Sequence, residues 1–285
     1  MQSLTSPKAL KELLARHGFR FSKSLGQNFL IDENILHKII EGARITDKDM
    51  VLEIGPGVGT LTRAIAQQAA SVTAVEIDSA LLPILEETLK EFSNTRVIHG
   101  DILKLDITQL INDNFKDQSF KVVANLPYYI TTPIIMRFLE EEQPFSTMVV
   151  MIQKEVAERM AAKPSSKAYG ALSVAVQFYT KPRIVGLVPA SVFMPPPKVD
   201  SIVIALDKRE TPAVDVKDRA SFFRVVKALF SQRRKTLLNT LSSAQLVNMD
   251  KEELKKSLIS LGIDPQRRGE TLTLEEMAKI SNGLL

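Results

Sequence analysis

Two clusters of residues in this chain have the types and the spacing to do chemistry. The first is Val51-Leu52-Glu53-Ile54-Gly55-Pro56-Gly57-Val58-Gly59. A short apolar run enters a turn in which every second residue is glycine, and an amphipathic stretch follows. Glycines there let the backbone come close to a ligand. The spacing is G-x-G-x-G, whereas a dinucleotide fingerprint would want a further glycine at 60, where Thr60 stands. Glu53 lies inside the motif. A carboxylate repels a pyrophosphate and attracts a cation. S-adenosylmethionine, with its sulfonium and ammonium groups, therefore fits better than a nicotinamide dinucleotide. Glu76 ends the next apolar run, about 20 residues beyond Gly55, where an acid can accept hydrogen bonds from ribose hydroxyls. Asp101 follows the third run and can accept from the exocyclic amine of a cofactor adenine. A tight turn with surface acids would explain the glycines but not acids at successive run ends.

The second cluster is Asn125-Leu126-Pro127-Tyr128. The amino group of adenine is a poor nucleophile, because its lone pair is delocalised into the ring. The amide oxygen of Asn125 and the carbonyl of Leu126 can accept its two N–H bonds and favour a pyramidal nitrogen aimed at a methyl carbon. Pro127 stiffens the loop. Tyr128 offers a flat face to a base turned out of its helix, a contact worth roughly 1–3 kcal/mol. Phe193, just before a proline-rich turn, either stacks on the opposite face of that base or is an aromatic at the edge of the core. No strong base is required, since the nitrogen becomes acidic once methylated and water can take the proton. Most of the acceleration would come from alignment.

These residues need a scaffold that brings the run ends together. Apolar runs at 51–54, 72–76, 96–99, 121–124 and 147–152 alternate with helical patterns at 61–70, 80–92 and 133–142. Continuous apolar strands between amphipathic helices predict a parallel sheet covered on both faces. Ligands bind at the carboxyl ends of such strands. Residues 7–17 have helical spacing, 19–30 read as a loop, and Asp32 is placed to cap a helix reaching Ala43. The pattern over 171–179 is helical. Runs at 183–188 and 201–206 read as antiparallel strands added at the sheet edge, and 208–215 as a linker. Beyond about 218 the pattern is helical, with Phe222, Val225, Val226, Leu229 and Phe230 on one stripe. The expected division is a sheet domain over 1–207 and a helical domain over 208–285.

The 285-residue chain has no cysteine and three widely spaced histidines, which removes thiolate chemistry and leaves no ligand pattern for a metal. No apolar run approaches the roughly 18 residues of a membrane span, and the amino-terminal stretch lacks a signal-peptide core. A cytoplasmic, monomeric protein is the expectation. The formal net charge is +4. Residues 1–25 and 207–285 each carry an excess of that size, so the body between them is acidic. Basic ends suit a polyanion through counterion release. On charge alone, solvated surface residues are the simpler reading.

Taken together, these residues resemble the ribosomal RNA adenine N6-dimethyltransferases, and among them the small-subunit (16S) type. The resemblance covers nearly the whole chain. It rests on Ser24-Leu25-Gly26-Gln27-Asn28-Phe29-Leu30, the Glu53 to Gly57 turn, Val75-Glu76-Ile77-Asp78, Gly100-Asp101, Asn125-Leu126-Pro127-Tyr128, Val192-Phe193-Met194-Pro195-Pro196-Pro197-Lys198-Val199-Asp200 and Leu229-Phe230-Ser231-Gln232-Arg233-Arg234-Lys235. It implies an α/β fold, a Rossmann-like seven-stranded S-adenosylmethionine-dependent methyltransferase sheet with a small all-helical carboxyl-terminal domain. It implies cofactor contacts at Asn28, Leu30, Gly55, Gly57, Glu76, Asp101 and Asn125. The catalytic set would be Asn125, Leu126, Pro127 and Tyr128 with Phe193. RNA is expected to be held by Arg233, Arg234 and Lys235 and by Arg20 and Lys23. The implied reaction adds two methyl groups to each of two adjacent adenosines in the 3′-terminal hairpin of small-subunit RNA, within the pre-30S particle, late in assembly. Leu238 stands where relatives often place a basic residue. Three other readings stay open: a resistance-type methyltransferase of large-subunit RNA, a non-catalytic RNA-binding assembly factor, and a nicotinamide oxidoreductase.

Overall fold

The structure, a computed structural model, describes residues 3–22, 25–116, 118–244, 246–247 and 249–285. By contacts the chain divides into two compact units, one made of residues 1–157 and 183–208, the other of 158–182 and 209–285.

The first unit holds α1 (Pro7–Arg16), β1 (Phe29–Leu30), α2 (Glu33–Ala43), β2 (Met50–Ile54), α3 (Thr60–Ala66), β3 (Ser71–Glu76), α4 (Leu82–Leu89), β4 (Thr95–His99), α5 (Ile107–Phe115), β5 (Phe120–Asn125), α6 (Thr131–Glu140) and β6 (Phe145–Gln153). After α7 (Lys154–Met160) and α8 (Ala171–Tyr179) come β7 (Thr180–Val188), β8 (Phe193–Met194) and β9 (Ser201–Lys208). Seven strands form one sheet in the order β4-β3-β2-β5-β6-β9-β7, and β1 pairs with β8 in a separate ribbon. The strands from β4 to β6 run parallel, and β9 joins β6 antiparallel. Val51, Leu52, Val72, Ala74, Val122, Val123, Val149 and Val150 are all buried, as parallel strands covered on both faces require.

The helices follow their caps. The side chain of Asp32 accepts from the N–H of Ile35 at the start of α2, and that of Asp106 from Gln109 at the start of α5. Pro83 sits in the first turn of α4, where no donor is lost. Helix α2 presses Ile35, Leu36, Ile39 and Ile40 against Val123, Val149 and Val203 of the sheet. Helix α1 buries Leu10, Leu13 and Leu14 with Leu81, Ile84 and Leu85, each leucine contributing roughly 1.5–3 kcal/mol.

The second unit is helical: α8 with α9 (Arg219–Ser231), α10 (Leu237–Ala244), α11 (Lys251–Ser260) and α12 (Leu274–Leu284). Phe222, Val225, Val226 and Leu229 of α9 form its core with Leu254, Leu258 and Met277. Helix α8 was expected with the sheet domain on 1–207. Instead its Val174 and Phe178 enter this core, and the Phe178 ring stacks on Phe222 at 5.2 Å. Of the stretch 208–215, expected as a linker, Lys208 ends β9 in the first unit and residues 209–215 belong to the helical one. There Arg209 and Ala213 donate their N–H groups to the carbonyls of Tyr179 and Phe178. No helix among the described residues is long and apolar enough to cross a membrane.

Candidate active site

The strand register sets the site. Ile54 lies beside Val75 and Ala124, and Glu76 beside His99, so the carboxyl ends of β2, β3, β4 and β5 reach one rim together. Past that rim lies a cleft of about 1030 Å³ counted to its open mouth. It is lined by Asn28, Leu30, Gly55, Gly57, Glu76, Asp101 and Asn125, and also by Leu126, Pro127, Tyr128 and Phe193. Residues from distant parts of the chain, singled out by type, thus share one cavity. Among the described residues no group of acids and histidines could hold a metal ion.

The electrostatics of the cleft are one-sided. Glu53, Glu76 and Asp101 line it, and no lysine, arginine or histidine does so among the described residues. Glu53 is 1% exposed and its Oε2 has no hydrogen-bond partner. Burial pushes its pKa up to about 8, the Thr62 hydroxyl opposes the shift, and the charge of Glu76 adds to it. Burial also raises the pKa of Glu76, although its carboxylate accepts the N–H groups of Asp78 at 2.8 Å and Gly57 at 3.2 Å. The glycine turn has positive φ at Gly55 and Gly57. A β-carbon on Gly55 would meet nothing within 4 Å, whereas one on Gly57 would lie 3.1 Å from the Phe29 ring. A cavity lined by acids over an open glycine turn, with an unpartnered buried oxygen on the Glu53 carboxyl, which a cation would draw into its charged form, suits a cationic nucleoside such as S-adenosylmethionine. It has no counter-charge for a pyrophosphate.

Asn125 ends β5 and is partly exposed to the cleft. Its Nδ2 donates to the main-chain carbonyl of Asn28 at 3.1 Å. Among the described residues no protein donor takes its Oδ1. A turn in which the N–H of Ile130 reaches the carbonyl of Pro127 leads into α6 and fixes the residues between. The Tyr128 hydroxyl bonds to the Ser201 hydroxyl at 2.7 Å, which anchors a half-buried ring at the cleft wall. Burial, and after it the charge of Asp200, raise the pKa of that phenol, against the Ser201 bond, so it stays neutral. Phe193 is 3% exposed and belongs to the sheet core while also lining the cleft. It pairs across to Leu30 in the β1–β8 ribbon, which brings the amino-terminal loop to the site.

Residue pattern alone reads that loop as featureless, and only the family resemblance points to Asn28 and Leu30 within it. Leu25, Gly26, Gln27 and Asn28 line the cleft, as do Ile77, Ile102 and Tyr129. Ile77 is 43% exposed directly after Glu76, an apolar lip to the cavity that strand periodicity does not single out. Of the residues expected to hold RNA, Arg233 pairs with Glu270 at 3.2 Å and donates to the Lys167 carbonyl, while Arg234 and Lys235 are exposed. Arg20 is exposed in the loop after α1, and Lys23 lies outside the described residues.

The model of the family described as ribosomal RNA adenine dimethylase matches residues 18–284. This chain belongs to that family. Proteins named ribosomal RNA small subunit methyltransferase A are similar over their full length. That of Alkaliphilus oremlandii is 54% identical over 284 residues, covering 100% of this chain and 99% of the relative. That of Geobacillus thermodenitrificans is 54% identical over 286 residues, covering 100% and 98%. Among solved structures, a dimethyladenosine transferase from Plasmodium falciparum is similar at a TM-score of 0.76 and 28% identity, over 88% of this chain and 95% of that one. The 23S rRNA methyltransferase ErmE is similar at 0.70 and 25%, over 90% and 99%. As an adenine dimethylase family member, the chain has the Rossmann-like methyltransferase fold and is a methyltransferase that uses S-adenosylmethionine.

Proposed function

We propose that this protein dimethylates the N6 amines of two adjacent adenosines in the 3′-terminal hairpin of small-subunit (16S) ribosomal RNA. It would act in the cytoplasm, as a monomer, on the pre-30S particle late in assembly. The observation that carries the reading is the fixed amide of Asn125. With Nδ2 engaged by the Asn28 carbonyl, Oδ1 is the end free to accept from an incoming amine. Together with the Leu126 carbonyl it would draw both N–H bonds of the target toward one side. The nitrogen lone pair then points away, toward the cofactor end of the cleft. Tyr128 would stack on the base, and Phe193 would close the wall behind it.

Bound S-adenosylmethionine supplies an electrophilic methyl group. Glu53, Glu76 and Asp101 would hold its positive and hydrogen-bonding groups, and Gly55 and Gly57 leave room for it. The residues present supply alignment and acceptors, not a strong base, which suits a nucleophile that turns acidic only after methylation. Arg233, Arg234 and Lys235, with Arg20 and Lys23, would hold RNA phosphates and position the substrate without reading its sequence.

The test is to offer radiolabelled methyl donor with small and large ribosomal subunits that lack the modification. Label in small-subunit RNA supports the reading. Label in large-subunit RNA alone would favour the resistance-type activity, and label in neither would favour a binding role.

A further inference from the structure

We propose that Gln27 is a positioning residue for the methyl transfer: anchored on Asp78, it holds the Asn28 carbonyl that orients the Asn125 amide. The inference rests on the reading in which Asn125 presents Oδ1 to the target amine.

An amide side chain has nearly the same shape after a half-turn, so packing alone does not decide which end faces the cleft. The Asn28 carbonyl decides it, because a carbonyl oxygen only accepts. A flipped Asn125 would set oxygen against oxygen and offer an N–H group to an amine that needs an acceptor.

The segment carrying that carbonyl is held from two sides. After it, the β1–β8 ribbon pairs Phe29 with Met194. Before it, Gln27 bonds in two directions. Its Oε1 accepts the N–H of Ser22 at 2.9 Å, and its Nε2 donates to Asp78 Oδ2 at 2.6 Å. The polarity of this pair is forced. The main-chain N–H of Ser22 only donates, so Oε1 must face it and Nε2 must face Asp78. Asp78 is itself fixed: its Oδ1 accepts the N–H of Ala80 at 3.0 Å, and its own N–H donates to Glu76 Oε1 at 2.8 Å. A hydrogen-bonded path thus runs from Glu76 through Asp78 to Gln27, and the next residue's carbonyl meets Asn125. The pairs of the β1–β8 ribbon do not include Gln27, so losing this tie is expected to shift the carbonyl rather than unfold the unit.

The polarity can be inverted without changing shape. In Gln27→Glu the carboxylate still accepts from Ser22 but faces the carboxylate of Asp78. In Asp78→Asn the new amide donates toward Nε2, donor against donor. With both changes, the carboxylate introduced at position 27 accepts from Ser22 and from the amide introduced at position 78. The oxygen of that amide keeps the Ala80 N–H.

The experiment uses the full chain with these three variants. It reads kcat and KM for RNA at saturating methyl donor, donor affinity by calorimetry, Tm, and the side-chain amide NMR signals of Asn125. Each single change is expected to lower kcat roughly 10- to 100-fold with a smaller effect on donor affinity, because a misaligned acceptor costs rate more than binding. The double change should bring kcat back to within about threefold of the parent and restore the Asn125 signals. Single variants that turn over like the parent would overturn the proposal. A double variant as slow as either single, folded or not, would do so as well. If the parent fails to methylate ribosomal RNA, the proposed function falls, and the Asn125 signals still judge the role of Gln27.

Discussion

The Asn125 side chain points its Nδ2 at the main-chain carbonyl of Asn28, 3.1 Å away, and that contact leaves Oδ1 as the acceptor the side chain can offer a substrate. Asn125→Asp keeps the shape but sets a carboxylate oxygen against the carbonyl. Asn125→Ala removes the acceptor altogether. Both are expected to lower single-turnover methyl transfer by about 100-fold or more, the scale set by loss of one aligned polar group in a reacting site. Donor affinity, read by calorimetry, should fall far less. Near-parental turnover in either variant would remove Asn125 from the catalytic role.

Tyr128 has two separable parts, a ring that would stack on the base and a hydroxyl tied to Ser201. Tyr128→Phe keeps the ring and should cost a few-fold in turnover on RNA. Tyr128→Ala loses a stacking contact worth roughly 1–3 kcal/mol and should cost on the order of 10- to 100-fold. Equal losses in the two variants would show that the hydroxyl, not the ring, matters.

Glu53 is expected to make the stability of the cofactor-free protein fall with rising pH. Its folded pKa is raised from the ordinary 4.5 to about 8. Below 4.5 folded and unfolded chains both hold the proton, so its contribution is fully present. Between those values the unfolded chain ionises while the folded one resists, and stability is lost as pH rises. Glu76, shifted in the same direction, adds to the trend. Tm measured from about pH 5 to about pH 8 should therefore decline, and Glu53→Gln should flatten the decline. An unchanged slope in the variant would show that Glu53 is not the titrating group.

Gly57 is needed for its backbone and for space. It has φ +61°, and a β-carbon there would crowd the Phe29 ring at 3.1 Å. Gly57→Ala should destabilise the fold by about 1–2 kcal/mol from the left-handed conformation alone, and it should weaken donor binding. Calorimetry and thermal unfolding check both; unaltered donor affinity would place the cofactor away from this turn.

Arg234 and Arg233 should differ despite being neighbours. Arg234 is exposed, so Arg234→Ala should leave Tm unchanged and reduce the slope of log affinity for RNA against log salt by about 1. Arg233 pairs with Glu270, so its replacement should also lower Tm. A salt slope unaltered by Arg234→Ala would take that residue out of the RNA footprint.

The rim of the sheet was legible in the sequence because each residue there has a chemical reason to be that type at a strand end. Glycines sit where the backbone must turn, and Glu76 and Asp101 stand at or just after the ends of successive strands on the cleft, where they would hold hydroxyls and amines. Helix α5 was not legible. Its sequence, ITQLINDNF, is dominated by weak helix formers, and it is held by the Asp106 cap and by burial of Ile107, Leu110, Ile111 and Phe115. Helix α8 was read as a helix but placed in the wrong unit. It is apolar on nearly every side, so no stripe says which core it will join. Residue pattern shows no role for the loop before β1, which only the resemblance links to the cofactor through Asn28, because its anchor is not local: Gln27 meets Asp78, 51 residues away. The split of the chain between two units follows the same logic. Packing of Phe178 on Phe222 is a tertiary fact that neither segment announces alone.

The central claim, that an acceptor fixed at Asn125 presents an adenine amine of small-subunit RNA for methylation, is tested most directly by nucleoside mass spectrometry. Immature small subunits are incubated with the protein and isotopically labelled methyl donor, and the RNA is digested and mapped. The account predicts labelled N6,N6-dimethyladenosine at two adjacent positions near the 3′ end, and none with Asn125→Ala. Label on any other atom or base, or equal label with the alanine variant, would contradict it.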